Sequence, residues 1–432
     1  MWPGGADNKK IWAGGADNQG HFLGRISIRR NQVASMEGEV EDLELFQRKI
    51  SDRFSDLLPP KKESYHSSGI PSSISISSAA SDSPTAGSID GDSSPFSGCE
   101  TFLSIAWIRK LLDAFLSCET EFKAVLLIGR EPSQVAKAPL DRLIPDLLDR
   151  AVKGLDICNG ITHGIDAVKF MKNQAQIVVS ALEQRPFTDG QIRRARRALA
   201  ALQGSVVMDE KENTGKSTER SWSFGKRTSG ASSKDRHHGL SFKSLSWSVA
   251  KHWSAAKQVQ SISSNLNAPR SGEPTGLALT VYIMNVVLVF VMWALVAAIP
   301  CQDRAGLGTH IPVPKQSNWA HGICGVQEKI AEEWKKKEKK GSAGLMEEVI
   351  KIDKLAHSLV EFADNFHYPM EEEKEAEFAA QVAELAEICR KMDDGLGPLQ
   401  SQIRELFHRL VRSRAMILDV LDQAGKSSTP HV

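Results

Sequence analysis

The side chains in this chain best suited to chemistry are its cysteines, its histidines and one glycine–lysine run. None is spaced for a reaction. The 6 cysteines, Cys99, Cys118, Cys158, Cys301, Cys324 and Cys389, lie far apart and never as C-x-x-C. That pattern fits neither a zinc ribbon nor a dithiol redox site, and it reads as reduced cytosolic thiols. The nearest approach to a metal cluster is His321-Gly322-Ile323-Cys324. Two ligands do not fill a tetrahedral zinc site, so no metal is expected. Thr214-Gly215-Lys216-Ser217-Thr218 superficially looks like a phosphate loop, but Glu210 stands where the first glycine belongs and no strand pattern precedes it. Without the backbone cradle a lysine does not hold phosphates. The serines occupy no nucleophile elbow. His163, His357 and His367 lie in or beside helical patterns and read as surface or core residues. The sequence therefore predicts no catalytic residue, cofactor site or metal site, and the chain reads as a non-enzyme.

Charge offers more. Arg193, Arg194, Arg196 and Arg197 crowd the start of a predicted helix that Thr188 or Asp189 would cap. Positive charge there opposes the helix dipole, which implies a partner for those arginines. From Arg193 to Lys257 there are 14 basic and 5 acidic residues, a net of +9, interleaved with Trp222, Phe224, Phe242, Trp247 and Trp253. The first reading of such a segment is a solvated linker; basic and aromatic residues together also suit an anionic membrane surface or a protein partner, and RNA is the last alternative. The whole chain balances 54 basic against 53 acidic residues, which argues against nucleic acid. Arg220-Ser221-Trp222-Ser223 and Arg227-Thr228-Ser229 place hydroxyls beside arginine, where phosphorylation would weaken that attraction.

The elements that must position these residues are helical. Strand-like alternation is nearly absent, so the expected fold class is all-α: a multi-helix bundle with long disordered serine-rich linkers and one strongly apolar helix. Residues 1–38 read as a disordered tail holding a duplicated Trp-x-Gly-Gly-Ala-Asp-Asn unit. An amphipathic helix is expected over 39–58, with Leu43, Phe46, Ile50, Phe54 and Leu57 on one face and Pro59-Pro60 ending it. Residues 59–99 form a linker, with 14 serines among the 34 positions from Ser64 to Ser97. Such a stretch buries too little apolar area to offset its ordering entropy. An N-terminal helical region follows over 100–203, its long middle helix broken or kinked around Gly154, Gly160 and Gly164. A basic disordered linker is expected over 204–275. A C-terminal helical region over 323–422 comes after the apolar segment, divided at Gly395 and Gly397-Pro398, with a disordered tail over 423–432. From Glu328 to Lys426 there are 16 basic and 21 acidic residues, a net of −5 against the basic middle of the chain.

The strongest signal is the apolar segment 277–299, Leu277 to Ile299, which contains no charged residue. As a helix it is about 35 Å long, enough to cross a hydrocarbon core. Ile283, Phe290 and Trp293 lie within it, and Asn285 is its expensive member. A single-pass membrane anchor is the leading reading. A central helix of a soluble bundle in the cytosol is the alternative, since amphipathic helices on both sides need somewhere to bury their stripes. The flanking cations Lys257 and Arg270 against Arg304 and Lys315 tie, so orientation is not set.

Several blocks together resemble the plant BYPASS-related family, particularly its ROH type: Phe22-Leu23-Gly24-Arg25-Ile26-Ser27, Glu41-Asp42-Leu43-Glu44-Leu45-Phe46-Gln47, Trp107-Ile108-Arg109-Lys110-Leu111-Leu112, Leu143-Ile144-Pro145-Asp146-Leu147-Leu148-Asp149, the apolar segment with Pro300-Cys301-Gln302-Asp303, and Trp334 followed by its lysine run. The resemblance covers most of the chain from about position 22. It implies a non-enzymatic adaptor at membranes that contacts the exocyst through a subunit of the Exo family and serves polarised secretion, such as seed-coat mucilage deposition. The related branch implies a different role, restraint of a root-derived mobile signal that controls shoot growth. No catalytic residue or cofactor comes with the family.

Overall fold

A computed structural model of the chain describes residues 40–59, 101–127, 132–184, 188–207, 253–264, 266, 276–301, 306–338, 344–364 and 372–427. Among the described residues there are helices and no strand. Helix α1 covers 40–55. It is followed by α2 (Ile105–Leu127), the short α3 (Pro132–Val135), α4 (Leu140–Leu182), α5 (Asp189–Val207), α6 (Ala255–Ser263) and α7 (Gly276–Ala298). A 3-10 turn (Asn318–Ala320) leads into α8 (His321–Glu338), then α9 (Glu347–Asp364) and α10 (Glu372–Ser427).

The amphipathic stripes converge on one core that includes buried residues from every region, from Phe46 in α1 to Ile417 in α10. The two longest helices, α4 and α10, pack on one another, and α5 and α9 extend that layer. Helix α7 lies inside, against α2, α4, α6 and α8. The segments before and after the apolar stretch therefore share a single core rather than forming separate halves. The first helix joins through its aromatic face: Phe54 meets Phe290 of α7 edge-on, with ring centroids 5.5 Å apart. The indole of Trp107 donates to the Leu57 carbonyl at 2.8 Å.

Four expectations need correcting. Helix α4 is unbroken, because Gly154, Gly160 and Gly164 all face inward and serve close packing. A Cβ on Gly160 would lie 2.7 Å from the Trp253 ring, and one on Gly164 would lie 2.5 Å from the Pro300 carbonyl oxygen. Helix α10 also runs straight through the expected break at Gly395 and Gly397-Pro398. Pro398 and Asp394, whose carbonyl the proline leaves without a helical partner, are both exposed, so that carbonyl is open to solvent and the helix continues at reduced cost. The segment 204–275 is not linker throughout. Helix α5 extends to Val207, and α6 is an ordered helix with Val259 and Ile262 buried. Finally, α8 starts at His321 and α10 ends at Ser427, beyond the expected limit of 422. The N-terminal tail, nearly all of the serine-rich stretch, and Trp222, Trp247 and the serines beside Arg220 and Arg227 lie outside the described residues.

Candidate functional site: the sheathed helix and its polar clamp

Helix α7 is the one described helix long and apolar enough to cross a membrane, and its most apolar window is wholly buried inside the protein. Of the residues singled out in the sequence, Ile283, Phe290 and Ile299 are fully buried, Trp293 and Asn285 almost so, and Leu277 is half-buried at the N-terminal end. The absence of any polar stripe follows from this position, because a helix surrounded by neighbours has no face that water selects. The Trp293 indole donates to the Gly308 carbonyl at 2.8 Å, so its polar edge is satisfied by the loop before α8. Tyr282 meets Trp319 edge-on, with centroids 6.3 Å apart.

Asn285 acquires partners that the sequence does not reveal. Its amide nitrogen donates to the Val281 carbonyl one turn back at 2.9 Å. Its side-chain oxygen accepts from the Arg150 guanidinium of α4 at 2.6 Å. The same guanidinium donates through Nε to the Ile262 carbonyl, in the last turn of α6, at 3.2 Å. A cation placed there also meets the negative end of the α6 dipole. Arg150 is 6% exposed, and Asp146, the carboxylate within reach, stands 4.0 Å away and largely in water. Burial lowers the Arg150 pKa against the pull of Asp146 and Asp149, yet a guanidinium keeps its proton in proteins. One arginine thus ties α4, α6 and α7 together at the centre of the bundle. It could have been noticed in the sequence as the charge that falls with Leu147, Ala151 and Gly154 on the face of α4 that otherwise buries apolar side chains.

Other charges, buried or half-buried, join the outer helices in the same way. Glu119 of α2 is 2% exposed and accepts from Ser413 and from Arg409 of α10, the latter at 3.3 Å. Lys123 adds a contact at 2.9 Å. Arg53 of α1 grips Glu121 of α2 through two nitrogens at 2.8 and 2.7 Å, with Lys49 at 3.0 Å. That grip holds the Glu121 carboxyl below the usual range. Glu348 of α9 accepts from the Ile105 amide at 2.9 Å and so caps α2 from a distant part of the chain. Burial pushes the Glu348 carboxyl up, and its second oxygen is buried without a hydrogen bond.

The arginines of α5 separate by role. The helix starts at Asp189, so they fall in the second and third turns rather than the first, and Thr188 caps it by accepting from the Gln191 amide at 3.3 Å. Arg196 donates to the Ala363 carbonyl at 2.9 Å and lies 3.5 Å from Asp364, closing the C-terminus of α9. Its partner is therefore another helix of this protein. Arg193, Arg194 and Arg197 are exposed, with Arg193 reaching Asp189 at 3.9 Å. Trp253 is half-buried on Gly160, and Ser254 beside it caps α6 by accepting from the Lys257 amide at 3.1 Å. Of the three tryptophans offered as lipid or partner contacts, the described one packs within the bundle.

Among the described residues no three of His, Cys, Asp and Glu are placed to hold a metal. Cys324 is half-buried with its pKa raised by burial, and His321, His163 and His357 are exposed. His367 lies outside the described residues. The buried charged side chains serve as cross-braces between helices. Residues 13–421 match the ROH1-like family. The chain belongs to that family, a branch of the BYPASS-related proteins. It is 52% identical to Protein ROH1A of Arabidopsis thaliana over 96% of this chain and 98% of the relative. It is 41% identical to Protein ROH1D of the same plant over 76% of this chain and 84% of that relative. No solved structure matches this ROH1-like chain.

Proposed function

We propose that this ROH1-like protein is a non-enzymatic helical adaptor of the secretory tethering machinery, that its body is cytosolic, and that it meets membranes at their surface rather than through α7. The observation that carries this reading is the sheath around α7 with the Arg150–Asn285 hydrogen bond at its centre. Drawing α7 into a bilayer would leave the buried stripes of α2 and α4 in water. Each large side chain re-exposed there costs about 1.5–3 kcal/mol. It would also strip Arg150 of the Asn285 acceptor at 2.6 Å. A single-pass arrangement gains nothing that offsets both losses. The partner that the family relationship suggests is an exocyst subunit of the Exo family, in polarised secretion such as mucilage deposition. The exposed faces of the bundle and the basic middle segment supply the contact, and no nucleic acid, cofactor or metal is invoked.

Two measurements test the proposal. Tagged full-length protein is centrifuged at high speed without detergent and, separately, after alkaline carbonate treatment. It is expected in the supernatant, and retention in carbonate-washed membranes would refute the sheathed reading. Pull-down of exocyst subunits by the full chain and by a chain lacking 208–252 is expected to recover an Exo-type subunit in the first case. Recovery of no tethering subunit would refute the adaptor assignment.

A further inference from the structure

The exposed large apolar side chains of the described residues are Val40, Leu45, Val152, Phe170, Val411, Met416 and Leu418, and three of them crowd the last third of α10. Val411 is 42% exposed, Met416 45% and Leu418 37%. At 3.6 residues per turn, Arg404, His408, Val411, Ala415, Leu418, Asp419 and Asp422 fall on one stripe, and all are exposed. That stripe is opposite the face through which Leu406, Leu410, Ser413 and Ile417 enter the bundle. Earlier on α10 the exposed positions hold no large apolar residue.

The charges on this stripe are ordered. Its N-terminal part carries Arg404 and His408, with Arg412 at the edge, and its C-terminal part carries Asp419 and Asp422. Arg404, Asp419 and Asp422 make no salt bridge among the described residues, whereas neighbouring Arg409 is spent on Glu405 and Glu119. A stripe that is basic at one end, apolar in the middle and acidic at the other is complementary to itself when reversed. Two such helices laid antiparallel, crossing at the level of residue 413, place each Arg404 against the other copy's Asp422. They also place each Val411 against the other copy's Ala415. A two-fold axis makes both halves of the contact identical. An anionic membrane would attract the basic end and repel the acidic end, so the charge order favours a protein surface.

We propose that the outer stripe of α10 from Arg404 to Asp422 is a self-association surface that takes a second copy of this chain. The stripe is about 27 Å long, and with a helix about 10 Å across the contact stays well below the ~1,200 Å² of a standard interface. The dimer is therefore weak, forming at tens of micromolar and above, and sensitive to salt.

The experiment is sedimentation velocity of the full-length protein across a concentration series, with Arg404→Glu, Asp422→Arg, an equimolar mixture of the two and the chain carrying both. Circular dichroism of each variant checks that the helices remain. Wild type is expected to dimerise, and each single reversal to weaken the dimer roughly ten-fold or more by setting like charges against each other. The mixture is expected to dimerise again, since the carboxylate introduced at position 404 of one variant then faces the guanidinium introduced at position 422 of the other, and the doubly reversed chain likewise. A wild type monomeric at all concentrations, single variants that associate as wild type does, or a mixture that fails to recover would each overturn the proposal.

Discussion

Replacing Asn285 by leucine tells the two readings of α7 apart by the sign of its effect. In a bilayer the change removes the one costly amide and strengthens insertion. In the bundle it removes the acceptor that holds the Arg150 guanidinium at 2.6 Å. A charge-assisted hydrogen bond contributes about 1.5–3 kcal/mol, and stripping a partner from a buried charge costs about 3–5 kcal/mol. Arg150 keeps the Ile262 carbonyl and a distant Asp146, which moderates the loss. Leucine recovers about 1 kcal/mol of apolar transfer. The net expectation is a loss of roughly 2–3 kcal/mol, read as a lower midpoint in urea with the slope unchanged. Arg150→Met combined with Asn285→Leu removes charge and acceptor together. It should lie closer to wild type than the sum of the single changes, with a coupling of about 1–3 kcal/mol. The reasoning fails if Asn285→Leu is neutral or stabilising, or if the two substitutions are additive.

Other perturbations probe the remaining braces. Arg53→Met is expected to destabilise by about 1 kcal/mol, since the pair with Glu121 is partly exposed. Because the Glu121 carboxyl is held low, its contribution is present above the ordinary carboxylate value and is lost as pH falls below that value and through the lowered one, and Arg53→Met should flatten that acid limb in a melting series. Glu348 behaves oppositely. Its carboxyl is raised by burial, so its favourable state exists below the ordinary value and is lost as pH rises. Glu348→Gln should therefore raise the melting temperature at neutral pH and leave it little changed in acid, and a fall at neutral pH would contradict the assignment. Gly164→Val drives a side chain into the Pro300 carbonyl, for which overpacking predicts a loss of about 3 kcal/mol or failure to accumulate soluble protein.

Much of this bundle can be read from residue spacing. The apolar segment expected at 277–299 is helix Gly276–Ala298, because an unbroken run without charge has only one compact solution. Helix α2 follows from Ile108, Leu112, Phe115 and Phe122 falling on one face at steps of four, three and seven residues. Helix α6 was hidden, since nine residues in a basic serine-rich stretch become a helix only when Val259 and Ile262 find a core built from distant segments. The continuity of α10 was hidden for a different reason. Glycine and proline normally punctuate, and only the fold shows that Pro398 faces water. Asn285 was noticed as a cost, but its compensation by Arg150 joins residues 135 positions apart and leaves no local trace.

The order in which α7 and its sheath occur along the chain has a consequence for biosynthesis. Helices α2, α4 and α6, which receive α7, precede it, and α8 follows it directly. During translation at about 5–20 residues per second, the greasiest part of the polypeptide emerges after most of its docking groove has left the ribosome. A fragment starting at residue 276 reverses that sequence of events. It offers the same helix to the translocon with no groove to accept it, so membrane insertion of such a truncation would report a lost chaperoning neighbour rather than the native address.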